Sequence, residues 1–424
     1  MGMRLGLGFF GMGIMVGSAL IGGSACTVST TATGTDGGPA ADGGGAPGDD
    51  GGGTNGDGGG GSDGATATAL SFTPSNIDLT GIDLTKVGAF IVDNDECTIS
   101  TDENLASCGD GGNVLGFKIA TQADGSKVAV YVARSMVIQA KKNLTVTGKL
   151  PFVFVALDTI DIVGTLNANG RGEVAVAGGQ TQSTAASKGA GPGGGGASTS
   201  TAAAGGGSYC GTGGAGAPES GKSSAGGQPF GTPTLTPLLG GSSGGTGDGA
   251  STAGCGGGAI QLVAGSSITV ESSGLIFVGG GGGEFGGIAS QEPGAGGSGG
   301  AILLESTAVT VSGTLAANGG GGGAGTSSDV GAAPPLDPSG VNALPSATPA
   351  GGGKAGIGPS AGGNGSGGAS VNGTDGAFTA GNAAGSGGGG AGRIRINTKT
   401  GQAMLAGTIS PATSTACATQ GTTH

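Results

Sequence analysis

The stretch that decides the fold is Phe152-Val153-Phe154-Val155, followed by Ile160-Asp161-Ile162-Val163-Gly164-Thr165-Leu166-Asn167-Ala168-Asn169-Gly170. A buried-type run is followed by a run alternating apolar and polar with period two, then a glycine corner and an Asn-Gly turn. Leu144-Thr145-Val146-Thr147-Gly148, Ile268-Thr269-Val270-Glu271 and Val309-Thr310-Val311-Ser312-Gly313 line up with Ile160-Asp161-Ile162-Val163-Gly164. Leu144, Ile160, Ile268 and Val309 then form an inward column, while Thr145, Asp161, Thr269 and Thr310 face out. A second run precedes the later copies, as Ile260-Gln261-Leu262-Val263 and Ala301-Ile302-Leu303-Leu304. Gly-Thr-Leu or Gly-Thr-Ile corners recur at Gly164, Gly313 and Gly407. Short parallel strands with glycine at the corners read as an all-β protein, a parallel β-helix (β-solenoid) expected to be right-handed.

Between the copies lie long glycine-rich excursions at one corner, at about 171–256, 279–299 and 319–390. Glycine supplies 109 of 424 residues, against about 7 % in ordinary proteins. No strict Gly-X-Y period makes the chain a collagen, and glycine at this density excludes a large helical protein. Two fates are open to the excursions. Disorder follows from composition, and packing as close extended chains follows from the absence of side chains, with Tyr209, Phe230, Leu235, Leu238, Leu239, Phe285, Leu336 and Phe378 as anchors.

The first segment is an address. Arg4, an apolar run from Leu5 to Ile21 and a small-residue end make residues 1–25 a secretory signal peptide. Ser24-Ala25-Cys26 resembles a bacterial lipobox, with Gly23 where that motif usually has leucine, so Cys26 is the expected lipidation site. Thr27 in place of Asp points to the outer membrane, with the cell surface as the expected face. Residues 26–67 then read as an acidic, glycine-rich disordered tether, 68–126 as an N-terminal cap, 127–415 as the β-helix and 416–424 as a C-terminal tail.

Cysteine usage suits an oxidising compartment. Cys97 with Cys108 closes a short loop, and Cys210 with Cys255 would staple the first excursion; Cys417 pairing with either excursion cysteine is the alternative.

Charge and chemistry exclude several functions. A net charge of −12 argues against nucleic acid. The only histidine is His424, which removes histidine-based catalytic triads and makes the Gly-x-Ser-x-Gly matches at 240–244 and 296–300 background. Gly216-Ala217-Pro218-Glu219-Ser220-Gly221-Lys222-Ser223 spells a phosphate loop but lacks the strand before it and the helix after it, so no nucleotide is expected. Asp93, Asp95, Glu96 and Asp102 form the densest acidic cluster and a weak candidate Ca²⁺ site, without calcium-hand spacing. Glycoside cleavage needs paired acids, and the repeat carboxylates Asp158, Asp161, Glu271 and Glu305 do not pair in any column. No cofactor is expected.

Leu150-Pro151-Phe152-Val153-Phe154-Val155-Ala156-Leu157, the Gly-Thr-Leu-x-Ala-Asn-Gly corner and the Gly-Gly-Ala-Ile-x-Leu openings resemble a group of glycine-rich bacterial surface lipoproteins. On composition these are likened to PE-PGRS proteins, although the Pro-Glu domain of true members is missing here. The resemblance spans roughly 85–412 and implies an envelope-exposed β-helix. The functional expectation is a non-catalytic surface or adhesion module on a lipid anchor, meeting polysaccharide or other cells. A carbohydrate-active β-helix enzyme and a periplasmic scaffold are the alternatives.

Overall fold

The computed structural model describes residues 69–103, 105–108, 115–171, 176–182, 186–248, 251–286, 291–326, 337–354, 360–380 and 383–424. The chain divides into two units, Met1–Ser62 and Asp63–His424, and every described residue belongs to the second. The signal segment, Cys26 and the tether through 67 lie outside the described residues, as does Leu336. Among the described residues the regular structure is all β, and no helix is long and apolar enough to cross a membrane.

The strands build successive layers. An opening layer has β1 (Phe90–Val92) and β2 (Glu96–Ser100), with the short β3 (Leu105–Ser107) folded back antiparallel on β2. After β4 (Gly116–Thr121), five layers follow. They are β5 (Lys127–Ala133), β6 (Met136–Ile138) and β7 (Asn143–Thr147); then β8 (Phe152–Ala156), β9 (Thr159–Ile162) and β10 (Thr165–Asn167). Next come β11 (Ala259–Val270) with β12 (Leu275–Phe277), and β13 (Ala301–Val311) with β14 (Thr314–Ala316). The last has β15 (Arg393–Thr398), β16 (Met404–Leu405) and β17 (Thr408–Ser410), and β18 (Ala418–Thr422) adds a final strand. Layers pair in parallel through one sheet of eleven strands and another of seven; among the described residues only β2–β3 and β4–β5 are antiparallel ladders.

Register explains the core. Ala129, Phe152, Ile260, Ile302, Ile394 and Ala418 form one ladder, and Met136, Ile160, Ile268 and Val309 another. From the facing sheet come Cys97, Leu144, Leu166, Ile276, Leu315 and Ile409. Most of these side chains are fully buried, each worth about 1.5–3 kcal/mol on leaving water. Ile160, Ile268 and Val309 therefore stack as their alternation predicts. Leu144 does not join them, because β7 belongs to the opposite sheet; Val137, not Thr145, sits beside Asp161. Alternation with period two says which side of a strand is apolar and leaves open which sheet the strand joins.

The corner column is real. Leu275, Thr314 and Thr408 donate their amides to Gly164, Gly274 and Gly313, and a Cβ on Gly313 would run into the Gly274 carbonyl. The stack also starts earlier and ends later than expected. β1 and β2 already pair with β6 and β7, so residues 90–100 are a layer and not an irregular cap, and β18 makes the C-terminal tail a paired strand.

The outer face of the larger sheet is covered too. Leu70, Phe72, Ile77, Leu79, Ile82, Leu84 and Val87 lie across it as a strap, packing with Val130, Val153, Val263 and Leu303. Tyr209, Leu235 and Leu238 from the first excursion complete that cover. The strap is pinned at Glu305, which is 1 % exposed. Its carboxylate accepts from Ser75 N (3.0 Å), Ser75 Oγ (2.7 Å), Gln261 Nε2 (2.7 Å) and Asn397 Nδ2 (3.0 Å). Four donors on one buried carboxyl group replace the water it loses.

The glycine-rich segments leave after β10, β12 and β14 and return into β11, β13 and β15. They pack as extended chains outside any β-ladder. Donors 294, 297 and 300 bond to carbonyls of Glu284, Gly281 and Val278; donors 295 and 298 to Gly245 and Ser242; donors 296 and 299 to Gly387 and Gly390. The bond direction thus repeats every three residues, the period of a polyproline-II-type helix and not of a strand. The same segment accepts from Gly207, Gly254, Gly257, Gly320 and Gly323, on three further chains. Chain 294–300 is therefore surrounded by six others, and only glycine-scale residues allow that approach. Segment 385–392 repeats the pattern, with donors 385, 388 and 391 bonding to Ala377, Thr374 and Val371, and donors 386, 389 and 392 to Gly323, Gly320 and Ala317.

Candidate functional site

The expected site residues are dispersed. Asp95 and Asp102 lie at opposite ends of β2, a separation of roughly 20 Å at strand rise. Asp95 pairs with Lys142 at 2.9 Å, and the Asp102 carboxylate accepts from the Lys149 amide at 2.7 Å. Asp93 and Glu96 are exposed, and among the described residues no group of three His, Cys, Asp or Glu side chains converges on a metal position. The structure thus does not assemble the Ca²⁺ candidate Asp93, Asp95, Glu96 and Asp102. Cys97 and Cys108 are joined as expected. Cys210 is joined to Cys417 and not to Cys255, which is buried outside both disulfides. The physical reason is the stacking: Cys417 precedes β18, and the Cys417 carbonyl accepts from Ile394 N of β15, three residues on from Ala391, whose carbonyl accepts from Cys210 N. The two disulfides fit an oxidising, extracytoplasmic environment.

The two Gly-x-Ser-x-Gly matches are structural. Ser242 and Ser298 are buried, the Ser298 hydroxyl accepts from Ser242 N at 2.9 Å, and the Ser242 hydroxyl accepts from Gly193 N at 3.0 Å. The phosphate-loop spelling closes a hairpin. Gly216 N donates to Ser224 O, Ala217 N to Gly385 O and Glu219 N to Thr201 O, so these amides do not converge on one anion.

Polar chemistry gathers instead at the tips of the glycine segments, the ends farthest from their attachment to the strands. Registers bring residues 217–219, 245–248, 284, 292–295 and 384–385 to that level. An open cleft of about 510 Å³ is lined there by Ala215–Pro218, Gly221, Lys222, Ser223, Asp375 and Gly376. Asp375 is exposed, and its carboxylate accepts from Ala215 N at 2.7 Å. Phe285 and Phe378, two of only thirteen aromatic residues, are exposed in tip segments. Behind this surface lies Glu292, 3 % exposed, with Oε2 lacking a hydrogen-bond partner. Asp248 Oδ1 accepts from Glu292 N at 2.6 Å. Burial, reinforced by the neighbouring Glu219 and by Asp248, pushes the Glu292 carboxyl up to about 9.

Comparison with protein-family models, curated proteins and solved structures finds no match. The chemistry of the tips must therefore be read from their own residues. Glu219, Asp248 and Glu292 lie far apart in sequence, on two separate excursions, and no spacing motif announces them; only the threading of the glycine chains brings them together. Neither Glu219 nor Glu292, whose carboxyl Glu219 helps push up, is a wall of the cleft.

Proposed function

We propose that the protein is an exported, non-catalytic display module, in which a parallel β-helix serves as scaffold and the glycine-segment tips meet the outside. In this reading Cys26 carries a lipid that holds the protein at the outer membrane, facing the cell surface. The observation that carries the reading is the distribution of exposed groups. The larger sheet is covered on both faces, by the core and by the strap with Tyr209, Leu235 and Leu238, while the cleft with Lys222 and the exposed Phe285 and Phe378 stand at the tips. Aromatic rings beside polar groups suit polysaccharide or the surface of another cell as partner. A glycosidase-like enzyme is the lesser reading: the paired acids it needs would be Glu219 and Glu292, yet Glu292 is 3 % exposed and out of substrate's reach.

Protease shaving of intact cells, followed by blotting for region 319–390, tests this. Loss of the signal while the cells stay intact is the expected result. Full protection, with cleavage after lysis, would move the protein to the periplasm and end the surface reading.

A further inference from the structure

We propose that the tip cleft binds an acidic sugar unit, with Lys222 taking its carboxylate and Phe378 lying against its ring. The inference rests on the display reading and names the chemistry that the tips meet. Two excursions build the cleft of about 510 Å³, the first through Ala215–Pro218 and Gly221–Ser223, the third through Asp375 and Gly376. Hydrogen bonds join its walls: Ala215 N donates to Asp375 Oδ1 at 2.7 Å, Gly376 N to Ala215 O at 2.9 Å and Ala217 N to Gly385 O at 3.0 Å. Gly221, with φ at 78°, turns the chain, and Gly216 N donates back to Ser224 O at 2.9 Å, so the loop carrying Lys222 is closed at its base. The site is thus built before any ligand arrives.

The lining sets the ligand's chemistry. Lys222 is the one cation of the wall, and among the described residues it joins none of the ion pairs, which are Lys86 with Asp83, Lys118 with Asp78 and Lys142 with Asp95. An exposed ammonium on a chain of net charge −12 is open to a carboxylate from outside. Asp375 commits one oxygen to Ala215 N, which leaves the other to accept from a sugar hydroxyl, and the Ser223 hydroxyl both donates and accepts. Ala215, Ala217 and Pro218 add apolar wall against the C–H face of a ring. Phe378, 39 % exposed, stands two residues beyond Gly376, about 6 Å on along an extended chain. An exposed aromatic at that distance gives a second apolar surface for the ring. The net charge also limits the partner: a polymer charged at every unit is repelled by the chain as a whole, so the acidic unit belongs among neutral ones.

Titration calorimetry on the full chain tests the site. The probe is a trisaccharide of glucuronic acid on two neutral sugars, run beside its methyl ester and beside inorganic phosphate. Binding of the acid is expected, with the ester about tenfold weaker and phosphate alone not bound. Lys222→Ala should weaken the acid about tenfold and make acid and ester alike. Phe378→Ala should weaken both sugars about fivefold. Lys354→Ala, which removes a cation of the third excursion outside the cleft, should change nothing. All three side chains are exposed, so circular dichroism should show the fold intact. Equal affinity for acid and ester, unchanged binding of the acid by Lys222→Ala, phosphate binding as tight as the sugar's, or no binding at all would overturn the proposal. None of these outcomes bears on where the protein sits, which the shaving of cells tests separately.

Discussion

In the strand layers, Ile260, Ile302 and Ile394 stack side chain on side chain. In the glycine segments, residues 294–300 meet six neighbouring chains backbone to backbone. Both interiors exclude water, by different means. The layers remove apolar area, so a missing methylene leaves a cavity and a modest loss. The segments remove polar backbone from water and rest on pairing amides with neighbouring carbonyls, so an added methylene has nowhere to go. Composition that looks like a linker thus becomes a packed interior when several such chains run side by side and neighbouring strands fix their ends.

This difference inverts the usual order of mutational cost, and the inversion can be checked. A Cβ at Gly297 would stand 2.6 Å from the Cys255 carbonyl carbon. Gly297→Val should leave no cooperative unfolding transition in a thermal melt, and Gly297→Ala should cost about 3 kcal/mol in a denaturant titration. Glu305→Ala strands Ser75, Gln261 and Asn397. A loss of about 3 kcal/mol is expected, with new protease cleavage within 69–87. Replacing Cys210 and Cys417 with serine should cost about 2–4 kcal/mol and loosen β18 before the inner layers, as hydrogen exchange would show. Ile302→Val, a deletion inside the layers, should cost only about 1 kcal/mol. At the small end stands Gly351→Ala, whose new methyl meets nothing nearer than Val341 Cγ2 at 3.8 Å, and which should change stability by less than about 0.5 kcal/mol. If Gly297→Ala proves milder than Ile302→Val, the two interiors are not packed by different rules.

The same contrast governs what could be read from the sequence. The layers were legible because apolar alternation and glycine corners are local: Ile160, Ile268 and Val309 stack in register, and Gly164, Gly274 and Gly313 form the corner column. Leu144 stands in the sheet opposite Ile160, and alternation carries no information about which of two facing sheets a strand joins. The glycine segments were legible only as two alternatives, since a glycine run has no side-chain pattern, and its order depends on six partners brought from distant parts of the chain. For Cys210 the sequence offers Cys255, with Cys417 as the alternative, and stacking of β18 on β15 delivers Cys417. The buried acid Glu292 escaped for the same reason: nothing local marks it.

The most direct test of this account is amide hydrogen exchange at neutral pH, comparing 294–300 and 385–392 with strand β13. Each compared amide in the glycine segments has a named acceptor on a neighbouring chain. Protection within about tenfold of β13 is the predicted result, since backbone bonds enclosed by other chains open only with the surrounding structure. Exchange at unstructured-chain rates in those segments, with β13 still protected, would contradict it.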